Sequence, residues 1–150
     1  MSFDCSHEHV RIETLSETYE ILGEIVKVNS KVKVCEDCGE KIFDTTISNK
    51  NILNAYSVYR KHHNLLDHEE LKKVREDMGV SKQTMAVLLG VSPDDVRRHE
   101  AGAIQTYSYD KKVRKLMTVE GIVLAMSKAL RLGDDDSENL LEYVRKSKAE

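Results

Sequence analysis

The chain has 150 residues, of which 40% are hydrophobic and 33% charged, and its formal net charge of −3 at pH 7 argues against strong non-specific nucleic-acid binding. This length fits one domain or two small ones, and no apolar run approaches the roughly 20 residues of a membrane-spanning helix. The N-terminus lacks the pattern of a secretory signal and three cysteines cannot all pair internally, so we expect a cytoplasmic protein with reduced thiols and no membrane partner.

The first structured segment is expected to be a β-ribbon between Val10 and Val34. The stretch from Ile25 to Val34 is rich in valine, which favours strands. Gly23 marks a turn or bulge, and Asn29-Ser30 is interpreted as a second turn. The ribbon contains little apolar material, a situation in which a bound zinc ion stabilises a module in place of a core.

The motif Cys35-Glu36-Asp37-Cys38-Gly39 is one half of a zinc site. Two thiolates separated by two residues can hold one ion from a tight turn, and the glycine lets backbone N–H groups approach the sulfurs. A tetrahedral site needs two further ligands. The predicted set is Cys35, Cys38, Cys5 and either His7 or His9. Four protein ligands close the site, so the zinc is expected to be structural rather than catalytic.

Several capped helices are expected to follow the ribbon. Ile47–His63 is predicted to be helical with Ser48 as its N-cap. Asp67 and Glu70 form a capping-box pattern at the start of the next helix, which Gly79 ends. The remaining helices are predicted at Lys82–Leu89, at Pro93–Ala101, once or twice within Val113–Leu132, and at Glu138–Lys146 after the cap Ser137 and the solvated turn Asp134–Asp136.

Residues 80–102 have the layout of a helix-turn-helix. Ala86 falls where the two helices cross and only a small side chain fits, and Gly90 takes the tight turn. The second helix of such a pair enters the DNA major groove, while the first lies across the backbone. The predicted DNA-binding residues are Ser81, Lys82, Gln83, Thr84, Asp94, Arg97 and Arg98. An ordinary helical bundle is the alternative interpretation.

The charge of the middle of the chain bears on DNA binding. Residues 60–115 carry 12 Lys and Arg against 9 Asp and Glu, which is mildly basic. Arg97 and Arg98 are the expected base or phosphate contacts. Asp94 and Asp95 oppose phosphate, although they suit a helix N-terminus and a carboxylate can accept from cytosine. His99 is expected to pack rather than to read bases.

These patterns predict an α+β fold, with a small N-terminal zinc-bound β-ribbon followed by an all-α helix-turn-helix domain. The expected divisions are a zinc-ribbon-like module over residues 1–46, a helical linker over 47–66, and a helix-turn-helix domain for DNA binding and dimerisation over 67–150. The protein is not expected to be an enzyme.

The order of motifs resembles the MqsA/YgiT-type antitoxins, in which a zinc ribbon precedes an Xre-like helix-turn-helix. The resemblance covers roughly residues 1–110. It rests on Cys-x-x-Cys-Gly-Glu at 35–40, Ile42-Phe43-Asp44, Tyr56-x-x-Tyr59-Arg60, Leu65-Leu66, and the helix-turn-helix ending His99-Glu100-Ala101-Gly102.

The resemblance implies structural zinc, a homodimer formed through the C-terminal module, and repression of the protein's own operon at a palindromic operator. In the best-known member the N-terminal module also binds an mRNA-cleaving toxin. By position, Cys5, Cys35 and Cys38 match zinc ligands and Arg98 matches a DNA-reading arginine. Asp94 stands where that member has an asparagine.

The expected function is therefore that of a DNA-binding transcriptional regulator, an antitoxin-type autorepressor of a toxin-antitoxin operon. A prophage or mobile-element repressor without a toxin is the alternative. An interaction adaptor that does not bind DNA and a zinc-dependent enzyme are more distant alternatives. The segment after about residue 115 is longer than the family pattern, and it is expected either to extend a dimer interface or to bind a different partner.

Overall fold

The computed structural model describes residues 5–130 and 136–149. The fold is α+β, because a three-stranded antiparallel sheet precedes the helices. The chain divides into two compact units, residues 1–62 and 63–150. The described elements are β1 (Val10–Ile21), β2 (Glu24–Cys35), β3 (Lys41–Ile42), α1 (Thr45–His62), α2 (His68–Met78), α3 (Lys82–Leu89), α4 (Pro93–Glu100), α5 (Tyr107–Leu116), α6 (Val119–Leu130) and α7 (Asp136–Ala149).

A long β-hairpin dominates the first unit. Strands β1 and β2 pair in continuous antiparallel register from Val10 opposite Cys35 to Ile21 opposite Glu24. The turn between them uses Leu22 and Gly23 at φ 49° and 82°, the left-handed conformation that tight hairpin turns require. The predicted turn at Gly23 is confirmed. The register places the residues just before β1 beside the end of β2.

The turn predicted at Asn29-Ser30 is wrong, because both residues continue β2. Ser30 is fully buried and keeps the inward alternation of Val26 and Val28. Its hydroxyl lies 3.4 Å from the Tyr19 hydroxyl, which gives the buried group a polar partner. Tertiary packing therefore overrides the turn preference of the Asn-Ser pair.

Helix α1 packs on β2 over a small core. Asn51 donates from Nδ2 to the Lys31 carbonyl oxygen at 2.7 Å, and its Oδ1 accepts from the Lys31 N–H at 3.0 Å. The predicted N-cap at Ser48 is wrong, because the helix begins three residues earlier. Asp44 takes that role, accepting from the Ile47 N–H at 3.2 Å.

The second unit contains a larger core between its helices. The predicted capping box of Asp67 and Glu70 is present, and Gly79 ends α2 at φ 69°. Leu66 and Gln105 join a buried network around Asp110, whose Oδ1 accepts from the Leu66 N–H at 2.8 Å and from Gln105 Nε2 at 3.1 Å. This network fixes the segment before α2 against α5.

Helix α7 is longer than expected, and α5 begins at Tyr107, six residues before the predicted Val113. Two helices occupy Val119–Leu130 and Asp136–Ala149, so the last one begins two residues before Glu138. Asp136 belongs to that helix rather than to a turn, while Asp134 and Asp135 lie outside the described residues. Among the described helices, none combines the length and the apolar character needed to cross a membrane.

Candidate functional site

Four predicted ligands converge at one end of the hairpin. One ligand atom from each of Cys5, His7, Cys35 and Cys38 lies within 4.8 Å of all the others. The hairpin register explains the meeting, because Val10 pairs with Cys35 and the first two ligands come just before β1. A further main-chain hydrogen bond of 2.8 Å, from the N–H of residue 36 to the carbonyl oxygen of residue 9, holds the two segments together.

Two separations within this cluster match those of a tetrahedral zinc ion. Cys5 Sγ lies 3.5 Å from Cys35 Sγ, and Cys38 Sγ lies 3.6 Å from His7 Nδ1. With Zn–S bonds of about 2.3 Å, neighbouring ligand atoms of a tetrahedron are about 3.5–3.8 Å apart. Three thiolates and one imidazole form a typical structural zinc set, so the residues present fit the ion.

The surroundings of Cys35 favour the thiolate form of this residue. The pKa of Cys35 is lowered to about 6, chiefly by its hydrogen bond with the His7 imidazole and then by the backbone N–H groups of Cys38 and Asp37. Gly39 adopts φ 75° and donates its N–H to the Cys35 carbonyl oxygen at 2.9 Å. The N–H of this glycine thus closes the turn through a carbonyl oxygen rather than a sulfur.

Glu40 supports the cluster from outside, and sequence reasoning gave it no role at the metal site. Its carboxylate Oε2 lies 3.4 Å from His7 Nε2, while Nδ1 of the same ring faces Cys38. A metal-binding histidine commonly bonds a carboxylate through its second nitrogen, which fixes the ring orientation. The pKa of His7 is raised, chiefly by the hydrogen bond to Cys35, with Glu40 adding to it.

His9 lies outside the cluster. Its side chain is 69% exposed and its Nδ1 lies 3.3 Å from Asp37 Oδ2. Of the two histidines that spacing left open, His7 is therefore the one that lies beside the three cysteines. His7 has a φ of 52°, which is uncommon for a residue other than glycine and cannot be read from spacing.

Helices α3 and α4 carry the candidate nucleic-acid interface. Gly90 ends α3 at φ 70° and Ser92 caps α4, so a short turn joins the two helices. Ala86 is buried, as expected for a small residue between packed helices. Val96 is fully buried on the inner face of α4.

The predicted DNA contacts divide into exposed and buried residues. The exposed ones are Ser81, Lys82, Gln83, Asp94, Arg97 and Arg98. Thr84 is only 2% exposed, and its Oγ1 lies 3.2 Å from the Ser81 hydroxyl, so its side chain is a packing group. The Ser81 hydroxyl caps α3 by accepting from the Thr84 N–H at 3.1 Å. Lys82 and Gln83 are the available side chains at this helix start.

The two arginines of α4 are paired with aspartates on their own helix. Arg97 Nη2 lies 2.6 Å from Asp94 Oδ1, and Arg98 Nη2 lies 2.5 Å from Asp95 Oδ1. The pKa of Asp95 is lowered, chiefly by its hydrogen bond with Arg98. The arginine side chains remain 59% and 51% exposed despite these ion pairs.

A buried ion pair fixes α4 against α2, and sequence reasoning missed it. Arg75 Nε lies 3.1 and 2.9 Å from the two Glu100 carboxylate oxygens, and Nη1 donates to the Val80 carbonyl oxygen at 3.0 Å. Glu100 follows the buried Val96 by four residues, which is the available signal for an inward side chain. His99 packs against Tyr109 at 4.3 Å between ring centroids, as expected.

Comparison of the chain with protein-family models, with curated proteins and with solved structures finds no significant match.

Proposed function

We propose that this chain is a DNA-binding transcriptional regulator in which α3 and α4 act as a helix-turn-helix. The observation that carries the proposal is the two-sided character of α4. Val96 and Glu100 fix its inner face, while Arg97 and Arg98 project from its outer face. An arginine on such a helix can donate two hydrogen bonds to guanine in the major groove.

The start of α3 supplies the second part of the interface. Lys82 and Gln83 are exposed in its first turn, where backbone N–H groups also point outward. Phosphate contacts of this kind set the register of a protein on DNA without reading its sequence. The net charge of −3 limits non-specific attraction, so base contacts by α4 are expected to carry much of the affinity.

The proposed metal is a structural zinc ion held by Cys5, His7, Cys35 and Cys38. Zinc would supply cross-linking of the chain rather than reaction chemistry, because four protein ligands leave no open position. Glu40 would keep the His7 ring in place. The small core of the first unit supports this role, since a metal then contributes much of the folding free energy.

The biological role proposed is that of an antitoxin-type autorepressor acting as a homodimer. Two observations support this role. The order of motifs resembles that of the MqsA/YgiT-type antitoxins, and the predicted metal ligands Cys5, His7, Cys35 and Cys38 lie together. In this proposal the C-terminal helical unit binds a palindromic operator and the N-terminal module binds a toxin protein.

Selection of DNA by the zinc-loaded full chain tests the DNA-binding function. Retained duplexes from a random pool should converge on an inverted repeat, with half-sites about one helical turn apart. The double variant Arg97→Ala/Arg98→Ala should lose this enrichment. Arg11→Ala/Lys27→Ala, which removes two cations from the hairpin, is the matched control and should retain it. A pool without enrichment at low salt would contradict DNA binding.

Co-purification from the native host tests the toxin partner separately. A small protein that binds the full chain, and is released after removal of zinc, would support the N-terminal module as its binding site. DNA selection with an inverted repeat but no bound protein would favour a repressor without a toxin.

A further inference from the structure

Helix α7 presents two different faces. Leu140 is fully buried, and Asn139 donates from Nδ2 to the Gly79 carbonyl oxygen at 2.7 Å, so one face is fixed against the second unit. Residues spaced by three and four positions share the opposite face. These exposed residues are Glu138, Leu141, Glu142, Arg145 and Lys146.

The exposed face has an acidic end at Glu138, a centre formed by Leu141 and Glu142, and a basic end at Arg145 and Lys146. Leu141 is 40% exposed at the centre. Glu142 pairs with Lys146 along the helix at 3.8 Å. Among the side chains that the structure describes, none forms an ion pair with Glu138 or Arg145. They lie two turns apart, about 10.5 Å along the axis, beyond the spacing at which helical side chains pair.

We propose that α7 pairs antiparallel with α7 of a second copy of this chain, about a twofold axis near Leu141. In this arrangement Glu138 faces Arg145 of the partner subunit, and symmetry repeats the ion pair on the other side of the axis. The two exposed leucines meet between these pairs. A twofold interface uses the same patch on both subunits, and Glu138 and Arg145 are complementary in that sense. Glu142 lies beside the axis and keeps Lys146 of its own helix as counter-ion.

The charge order selects this orientation. A parallel pairing would place Glu138 against its own counterpart and Arg145 against its own counterpart, so like charges would oppose association. Acidic residues near the start of a helix and basic residues near its end also stabilise the helix through its dipole. Measurements of both association and folding distinguish this effect from pairing between two copies. The face is small, so the dimer dissociates at about micromolar concentration in the absence of DNA.

This inference deepens the proposed function by naming the surface of its homodimer. It does not depend on DNA binding or on the motifs that carry the antitoxin resemblance, which end near residue 110. If the parent chain enriches DNA from the random pool but does not self-associate, the α7 pairing alone is refuted. A dimer without DNA selection would refute the proposed function alone.

Sedimentation equilibrium of the zinc-loaded full chain without DNA tests the pairing. Glu138→Lys and Arg145→Glu should each raise the dimer dissociation constant at least about tenfold, because each places like charges opposite each other. The double variant Glu138→Lys/Arg145→Glu should return to within about threefold of the parent. Only an antiparallel pair of two copies brings the exchanged charges together. Lys27→Glu, on the hairpin, is the charge-matched control for Arg145→Glu and should leave the constant unchanged.

A parent chain that sediments as a monomer at all concentrations would overturn the proposal. An unchanged constant for Glu138→Lys would do so as well, and so would a double variant no better than the single variants. Thermal unfolding of each variant controls for folding, since the helix dipole alone predicts that the double variant is the least stable and shows no restored association. Leu141→Ser gives a charge-independent check. It should weaken the dimer with little change in the melting temperature, and an unchanged dimer would count against the proposal.

Discussion

Arg75 and Glu100 form a two-pronged ion pair that joins α2 to the end of α4. Arg75 Nε and Nη2 reach the carboxylate at 2.9–3.1 Å, and the two side chains are 13% and 5% exposed. The pKa of Arg75 is raised, chiefly by the hydrogen bond to Glu100. The pair fixes how α4 lies on α2. The direction in which the exposed arginines of α4 point therefore depends on this contact at the inner face of α4.

Glu100→Gln should destabilise the second unit by about 2–4 kcal/mol, because it leaves the Arg75 charge buried without its counter-ion. Urea unfolding followed by circular dichroism measures the loss. The double variant Arg75→Met/Glu100→Leu should cost less than the sum of the two single changes. Lys73→Ala is the control, since its ion pair with Asp77 is exposed and worth under about 0.5 kcal/mol. Equal losses in Glu100→Gln and Lys73→Ala would contradict the assignment.

Cys38→Ser should unfold the first unit and spare the second, because the hairpin then loses its proposed metal. Amide hydrogen exchange should show lost protection in β1 and β2 with retained protection in α2–α5. The parent chain should contain about one zinc ion per molecule by elemental analysis, and removal of zinc by a chelator should reproduce the variant's exchange pattern.

His9→Ala is the matched control for the metal, since its ring lies outside the cluster. It should keep zinc, whereas His7→Ala should lose affinity. A parent protein purified without zinc, and unable to take it up, would refute the metal assignment.

Arg98→Ala should weaken binding to the selected operator at least about tenfold without unfolding the chain, because one bidentate contact to a base is worth about 1–3 kcal/mol. Gel-shift titration measures the affinity, and urea unfolding checks the fold. Arg11→Ala, an exposed arginine of the hairpin, should bind as the parent does. Unchanged affinity of the Arg98 variant would count against base reading by α4.

Alkaline pH should destabilise the second unit through Tyr109. Burial, followed by the nearby charges of Glu100 and Asp95, raises the pKa of Tyr109 to about 12. Folding therefore favours its protonated form. The contribution is complete below the unfolded pKa of about 10 and is lost as pH rises through 12, a change of about 3 kcal/mol.

Urea unfolding between these pH values measures that loss. Tyr109→Phe should flatten the decline in unfolding free energy relative to the parent. Tyr107→Phe, which removes the hydroxyl of a tyrosine that is 57% exposed, is the matched control. Parallel curves for the parent and Tyr109→Phe would show that this hydroxyl is not the titrating group.

Local chemistry allowed much of the fold to be predicted. The caps at Asp67, Ser81 and Ser92 and the left-handed glycines at 79 and 90 depend on a few adjacent residues, and all are found in the structure. The turn predicted at Asn29-Ser30 failed because the buried position of Ser30 depends on Tyr19 in another strand.

The candidate sites were predicted only where they depend on residues that are adjacent in the sequence. The Cys-x-x-Cys turn is local, but the choice of His7 over His9 depends on the hairpin register and on one unusual backbone angle. Thr84 lies four residues before the buried Leu88, so helical periodicity could have placed it inside. The partner of Arg75 is 25 residues away, and spacing gives no indication of such a contact.

Asn51 has a consequence for how the hairpin behaves in a crowded solution. Strand β3 pairs only with Lys33 and Val34 of β2. Two residues earlier in β2, the Asn51 amide hydrogen-bonds both the N–H and the carbonyl oxygen of Lys31. An uncovered strand margin recruits extended segments of other molecules and starts fibrils. The Asn51 carboxamide thus makes the hydrogen bonds that a neighbouring strand would make, and it prevents another chain from pairing with β2 at Lys31.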